Sequence, residues 1–296
     1  MTDDGDPTLI PDQRREKLMR LLRRDNVLSM AQLTEMLGVS HMTVRRDIAM
    51  LEREGRAYSV PGGVRDASPR RDEPSFAAKV VADPSQKAAI ALLAEKLLRN
   101  DMTIYLDAGT TTGALVPAIR ERRGMTVITN DFVILDQLTG SSHVETIHTG
   151  GRLDNTNRSA VGRLAAETLH RLNTDLAFMS TNSWDLSRGV TTPSESKVEV
   201  KLAALAGASQ SVLMVASTKY GTFGMYDVAP LSRYDRIITD DGLPSSAASG
   251  IRNLGVVLDV AKTRRGAAED PFDAYRTAAQ QPPKQFLNRK DDDVSA

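Results

Sequence analysis

The chain has 296 residues, with 38 Lys and Arg against 38 Asp and Glu, four His and no Cys. The missing cysteines exclude disulfides, thiolate nucleophiles and cysteine-based zinc or iron–sulfur sites, and His41, His143, His148 and His170 show neither HxxxH nor HExxH spacing. No apolar run nears the roughly 20 residues that span a bilayer, and the acidic start Met1-Thr2-Asp3-Asp4-Gly5-Asp6 is wrong for a signal peptide, so a soluble cytoplasmic protein of about two domains, with no metal or cofactor, is expected.

Charge is unevenly spread. Between Pro11 and Arg65 eleven Lys and Arg outnumber seven Asp and Glu, a footprint that fits either a nucleic-acid surface or a solvated helix face. Asp12 to Arg24 sets Leu18, Leu21 and Leu22 at amphipathic-helix spacing. Ser29, with Gln32 three residues on, forms a capping-box pattern before a second helix with apolar Met30, Leu33, Met36 and Leu37. Gly38-Val39-Ser40 makes a tight turn, in which Gly38 ends one helix and Ser40 caps the next. In that third helix, from His41 to about Glu54, Val44, Ile48 and Leu51 share one stripe. Met42, Arg46, Ala49 and Arg53 point the other way, and Thr43, Arg45 and Met50 lie on the flanks. A helix buried on one side and bearing Arg with small or hydroxyl residues on the other suits the major groove of DNA. Asp47, beside the buried stripe, is expected to hold an arginine. Arg56 to Val60 alternates like a short strand that Pro61-Gly62-Gly63 ends, the pattern of a wing. A plain three-helix interaction module is the bland alternative; caps, turn and outward arginines together favour DNA.

Arg65 to Pro84 is rich in Pro, Asp, Arg and Ser without periodicity and reads as a linker. Gln86 to Arg99 then forms an amphipathic helix. Buried strands are expected at Thr103–Leu106, Thr126–Thr129, Glu145–His148, Leu176–Met179, Val212–Ala216, Arg236–Thr239 and Val256–Leu258, with helices such as Leu164–Leu172 and Ser196–Ala206 between them. Alternating strands and helices imply a mainly parallel, Rossmann-like sheet covered on both faces, whose ligands sit beyond the carboxyl ends of the strands. After the first strand comes Asp107-Ala108-Gly109-Thr110-Thr111-Thr112-Gly113, which can cradle a phosphate on backbone N–H groups and hydroxyls or simply cap a helix. Pro117 complicates the cradle by removing a donor early in that helix. Asn130 and Asn182, at two further strand ends, can both donate to and accept from sugar hydroxyls. Thr191-Thr192-Pro193-x-Glu195 precedes a helix carrying Glu199 and Lys201, where capping with surface charges is as good a reading as ligand contact. The lone Trp184 either closes a pocket or fills a core.

The run Leu33-x-x-x-Leu37-Gly38-Val39-Ser40-x-x-Thr43-Val44-Arg45-Arg46-Asp47-Ile48-x-x-Leu51-x-x-x-Gly55, ending in Gly62-Gly63, resembles the DeoR family of bacterial sugar-catabolism regulators. The resemblance continues to about Val260. It implies a winged helix-turn-helix over residues 10–65, a linker over 66–84 and an α/β sensor domain over 85–261, similar in fold to ribose-5-phosphate isomerase. Residues 262–296 extend beyond it as a polar tail expected to be disordered. Ser40, Met42, Thr43, Arg45, Arg46 and Arg53 are the implied DNA-facing residues. The family's wing usually ends Arg-x-His-Gly-Gly-Ala, whereas this chain has Ser59-Val60-Pro61-Gly62-Gly63-Val64 and lacks that Arg and His. The resemblance makes Asp107, Gly109, Thr110, Thr111 and Thr112 the loop for an effector's phosphate, and adds Lys219, from Ser217-Thr218-Lys219-Tyr220-Gly221, and Lys87 as cations near it, with Lys79 equally a surface lysine. Ala216 stands where the family has Asp, which fits an effector bringing its own negative charge, a phosphorylated sugar or sugar acid.

The implied function is a repressor of a carbohydrate-catabolism operon, bound to double-stranded operator DNA as a homo-oligomer, dimer or tetramer, and released by that effector. The competing reading is a sugar-phosphate isomerase-like enzyme carrying a DNA-binding head. Isomerisation needs a general base, and Ala177 to Ser183 has no carboxylate where the isomerases carry an acidic run; Asp107 and Glu195 stay open as bases. A DNA-bound architectural protein, blind to small molecules, is the third possibility.

Overall fold

The computed structural model describes residues 9–25, 27–60, 63–69 and 72–263; the expected tail therefore lies almost wholly outside the described residues, as does the Pro61-Gly62 tip of the wing. In the head, α1 (Pro11–Asp25) is followed by β1 (Val27–Leu28), α2 (Met30–Leu37) and α3 (His41–Arg53), then by the wing strands β2 (Ala57–Val60) and β3 (Gly63–Asp66). The capping box is reciprocal: the Gln32 amide donates to Ser29 Oγ at 3.2 Å and the Ser29 amide to Gln32 Oε1 at 2.9 Å. Gly38, at φ 65°, ends α2 in the left-handed region that a side chain disfavours. Leu18, Leu22, Leu33, Val44 and Leu51 are fully buried where the three helices meet, with Val64 of the wing closing the core. β3 pairs antiparallel with both β1 and β2.

The segment read as a linker is built into the larger half. β4 (Ser68–Pro69) pairs with a later strand, and α4 (Phe76–Val81) buries Phe76 and Val80 in the same core as Ile104 and Leu106. Two buried apolar residues in a six-residue helix are too few to show a period, which is why the sequence reads as irregular there.

Next come α5 (Pro84–Ala94), β5 (Thr103–Leu106), α6 (Thr110–Gly113), α7 (Val116–Arg120), β6 (Met125–Thr129), α8 (Phe132–Leu138) and β7 (Val144–His148). β8 (Arg152–Asp154) and β9 (Ser159–Val161) form a hairpin before α9 (Arg163–Leu169) and β10 (Thr174–Ser180). β11 (Ser183–Asp185), β12 (Gly189–Thr192), α10 (Glu195–Ala206) and β13 (Ala208–Met214) follow, then β14 (Thr222–Phe223), β15 (Tyr226–Ala229), β16 (Arg236–Asp240), α11 (Ser245–Asn253) and β17 (Val257–Ala261). Seven parallel strands make one sheet in the order β17-β16-β13-β10-β5-β6-β7, and each overlaps one of the seven runs expected above, although the edge strands β7 and β17 are only partly buried. Along β5, Ile104 and Leu106 enter one core and Tyr105 the other, as the two-residue period of a strand covered on both faces requires.

The chain leaves β5 toward β6 and β7 and returns to β10 on the opposite side of β5. The order reverses there, so the carboxyl ends of β5 and β10 bound the crevice where such sheets bind ligands. The expected helix after β5 is split, and Pro117 opens its second piece, where a missing N–H costs nothing. Trp184 is core, not a lid: it has no exposure, its ring meets Tyr220 edge-on at 5.0 Å, and its Nε1 points at the Ala216 carbonyl 3.4 Å away. Among the described residues no helix is long and apolar enough to cross a membrane.

Candidate DNA-reading face and effector cavity

On α3, Met42, Arg45, Arg46 and Arg53 are exposed. The Arg45 and Arg46 side chains make no hydrogen bond or ion pair among the described residues, while Arg53 Nε rests on the Ala49 carbonyl at 3.3 Å. Ser40 accepts from the Thr43 amide at 3.2 Å, and the two hydroxyls lie 2.9 Å apart, so both position the start of the helix. Asp47 receives Arg14 through Nε at 2.5 Å and Nη2 at 3.1 Å, a bidentate clamp that fixes α3 on α1 and leaves the neighbouring arginines outward.

The cavity at the switch point is lined by Lys79, Lys197, Lys201 and Lys219 against Glu73 and Asp107, together with Gly109, Thr110, Thr111, Asn130, Asn157, Ser180, Thr181 and Asn182. Four lysines against two carboxylates give it a positive balance. Several of the expected site residues build its wall. Asp107 accepts from Lys201 Nζ at 2.5 Å and from the Ser180 amide at 3.0 Å, and Lys201 also donates to the Ser180 carbonyl at 2.7 Å, tying β5 to β10. Asn130 Oδ1 accepts from the Ala108 amide and the Tyr105 hydroxyl, both at 2.9 Å. The Gly109 amide donates to Asp131 at 3.1 Å, and burial pushes the Asp131 carboxyl up to about 6 although three backbone N–H groups oppose it. A Cβ on Gly109 would stand 2.6 Å from Ser180 Oγ, so a side chain there would have to displace the Ser180 hydroxyl. The Thr112 hydroxyl donates to the Asp107 carbonyl at 2.6 Å and has no exposure. Of the expected phosphate loop this leaves Thr110 and Thr111 facing the cavity, with amides in a first turn that supplies no intrahelical acceptor.

Asn182 Nδ2 donates to Glu73, and Lys219 Nζ to the Thr181 carbonyl at 3.1 Å. Lys87 is a correction. Its amine donates to the Lys79 and Ala82 carbonyls, closing the end of α4, and it does not line the cavity; burial pushes it down to about 8. Lys79, which read equally well as a surface lysine, is the one that reaches the site, paired with Glu73 and bonded to Asn157. Burial lowers Lys79 to about 8 despite the pull of Glu73. Burial alone would raise the Glu73 carboxyl, but Lys79 and Lys197 outweigh it and hold it at about 2. Glu73 and Lys197 went unnoticed in the sequence. Lys197 and Lys201 are four apart, on one face of α10, and that spacing was the available signal. Glu195 is exposed and outside the cavity, Asp107 is committed to Lys201, and Glu73 is paired with two lysines. Among the described residues no carboxylate lining the cavity is poised as a base.

The head rests on the cavity's own rim. Arg65 donates to the Thr218 and Tyr220 carbonyls on either side of Lys219. The Tyr58 hydroxyl donates to the buried Asp185 at 2.9 Å, and Arg188 Nη1 to the Gly55 carbonyl at 3.2 Å. A Cβ on Gly221 would lie 2.4 Å from the Tyr58 ring, so wing and rim are in direct contact.

Outward arginines on a helix-turn-helix, joined to a cationic cavity at the switch point of the sheet, fit a ligand-sensing DNA-binding protein. Residues 14–70 match the DeoR-like helix-turn-helix domain and residues 82–241 the DeoR C terminal sensor domain; the chain belongs to the DeoR family of transcriptional regulators. It is similar to the HTH-type transcriptional regulator YgbI of Escherichia coli strain K12, with 44% identity over 254 residues, 86% of this chain and 99% of that protein. It is also similar to the transcriptional repressor AccR of Agrobacterium fabrum, with 29% identity over 230 residues, 77% of this chain and 89% of that one. Among solved structures it is similar to ribose 5-phosphate isomerase A of Methanocaldococcus jannaschii, at a TM-score of 0.33 and 17% identity over 45% of this chain and 53% of that one. The relatives are named as regulators, and this chain is a DNA-binding regulator, not an enzyme.

Proposed function

We propose that the protein represses a carbohydrate-catabolism operon and leaves its operator when a phosphorylated sugar or sugar acid enters the cavity. The observation that carries this reading is the excess of lysine around Thr110 and Thr111 at the switch point, the chemistry that holds a phosphate. Thr110, Thr111, Asn182, Lys197 and Lys219 are the contacts it assigns to the effector, with Asp107, Gly109, Thr112 and Asn130 as scaffold. Arg45, Arg46 and Arg53 face DNA, with Met42 against bases and Ser40 and Thr43 at the helix start. Residues 10–65 then act as the reading head and 85–261 as the sensor. One short helix reads too few base pairs to find a site, so a dimer or tetramer follows, working in the cytoplasm on the nucleoid. Effector and DNA are linked through Lys219, whose neighbours Thr218 and Tyr220 hold Arg65 of the wing; a ligand that moves Lys219 shifts the head.

A thermal-shift screen of sugar phosphates and sugar acids tests the placement. Hits should raise the unfolding temperature of the parent chain, and the shift should shrink in Thr110→Ala and Lys219→Ala. A hit indifferent to both changes places the effector elsewhere.

A further inference from the structure

The segment joining head and sensor ends inside the cavity. Glu73 Oε1 lies 3.2 Å from Lys197 Nζ and also receives hydrogen bonds from Lys79 Nζ and Asn182 Nδ2. The Lys79 and Lys197 side chains are only 10% and 9% exposed. Buried ammonium groups require a counter-anion, and Glu73 supplies the nearest one, with Asp154 3.5 Å from Lys197 as a second. The space left among these side chains is about 30 Å³, room for roughly two waters and far below the roughly 300–1,000 Å³ usual for small-molecule sites. An effector enters only if something leaves; among the described residues Glu73 and Lys79 are the lining groups carried by the connecting segment, and Glu73 is the anion of the two.

We propose that Lys79, Lys197 and Asn182 form a carboxylate subsite, filled by Glu73 in the free protein and taken over by the carboxylate of a phosphorylated sugar acid in the complex. This rests on the sensor reading above and narrows its ligand class. A sugar hydroxyl replacing Glu73 would leave the Lys79–Lys197 pair short of charge, whereas an acid exchanges anion for anion; Ala216, fully buried, adds no carboxylate of its own. Asp107 is unavailable for the exchange because Lys201 and the Ser180 amide hold it. The phosphate goes to Thr110 and Thr111 in the same cavity. Displacing Glu73 frees the segment that begins at β4, whose parallel pairing with β14 runs beside the Lys219 rim, so the exchange acts on the head's attachment.

The test is calorimetric titration of the full chain with phosphorylated aldonic acids of three to six carbons and with the matching aldose phosphates. The parent chain should prefer at least one acid over its aldose phosphate by about tenfold or more. Glu73→Gln should tighten that acid by about tenfold and leave the aldose phosphate within about threefold. Lys197→Met should erase the preference; it carries the test if Glu73→Gln loses its cooperative thermal transition. Without ligand, Glu73→Gln should shift operator affinity in the direction that saturating acid shifts the parent. Equal binding of acids and aldose phosphates, unchanged by either substitution, overturns the carboxylate subsite and leaves the sensor reading standing. Binding of neither series overturns the sensor reading itself.

Discussion

In the head the cations of the reading face stand in solvent, and Arg45 and Arg46 have no partner among the described residues; in the sensor Lys197 and Lys201 are buried and the Lys79 side chain is nearly so, each already holding an internal anion. The difference follows from the two ligands. DNA is an external polyanion that gains by releasing its own counterions, so its reader needs only outward charge on a rigid rod. A small effector entering a buried site must meet cations whose charge is otherwise unpaired, so the sensor keeps a substitute anion until the effector arrives. The reading face stands ready as it is, whereas the cavity must exchange an occupant before it can respond.

Four changes break or sharpen this contrast. The largest effect is expected from Lys201→Met, which strands Asp107 in the interior: about 3–5 kcal/mol of stability should be lost, seen as a lower denaturant midpoint. Loss below about 1 kcal/mol would mean that the pair is not buried as described. Arg46→Ala should weaken operator binding by about 1–3 kcal/mol without lowering stability, measured by anisotropy beside a melting curve; an unaltered affinity removes Arg46 from the reading face. Tyr58→Phe deletes the hydroxyl that reaches Asp185 and should cost about 1 kcal/mol. Its more telling readout is a smaller effector-induced change in operator affinity at unchanged effector affinity, and a full response would deny that this contact couples the halves. The smallest effect is with pH. Lys79 titrates at about 8, so raising pH through 8 removes a cation and should weaken anionic effectors progressively, whereas Lys79→Arg should flatten that slope.

The head was almost wholly legible because its signals are local. Ser29 with Gln32, Gly38 and Ser40 lie within a few residues of what they cap, and the stripe Val44, Ile48 and Leu51 fixes which way Arg45 and Arg46 face. The seven sheet strands were equally legible, as apolar runs such as Thr126–Thr129 and Val212–Ala216 have a single use in a doubly covered sheet. The cavity was legible only in outline. Rules for strand ends found Asp107, Asn130 and Asn182, yet not that Asp107 and Asn130 are spent on neighbours. Those partners, Lys201 and the Ala108 amide, lie 94 and 22 residues away. Glu73 was hidden because it sits in a segment without period, and α4 was too short to announce that this segment is core. Lys87 misled because a lysine near the site was expected to face it, whereas its amine caps α4.

The most direct trial of the account is the anisotropy of labelled DNA from the protein's own upstream promoter, titrated with the full chain at several salt concentrations, with and without a phosphorylated aldonic acid that stabilises it. Binding should weaken with salt, and the acid should raise the apparent Kd by about tenfold or more. Curves that coincide with and without the acid, or no binding at any salt, would contradict the account.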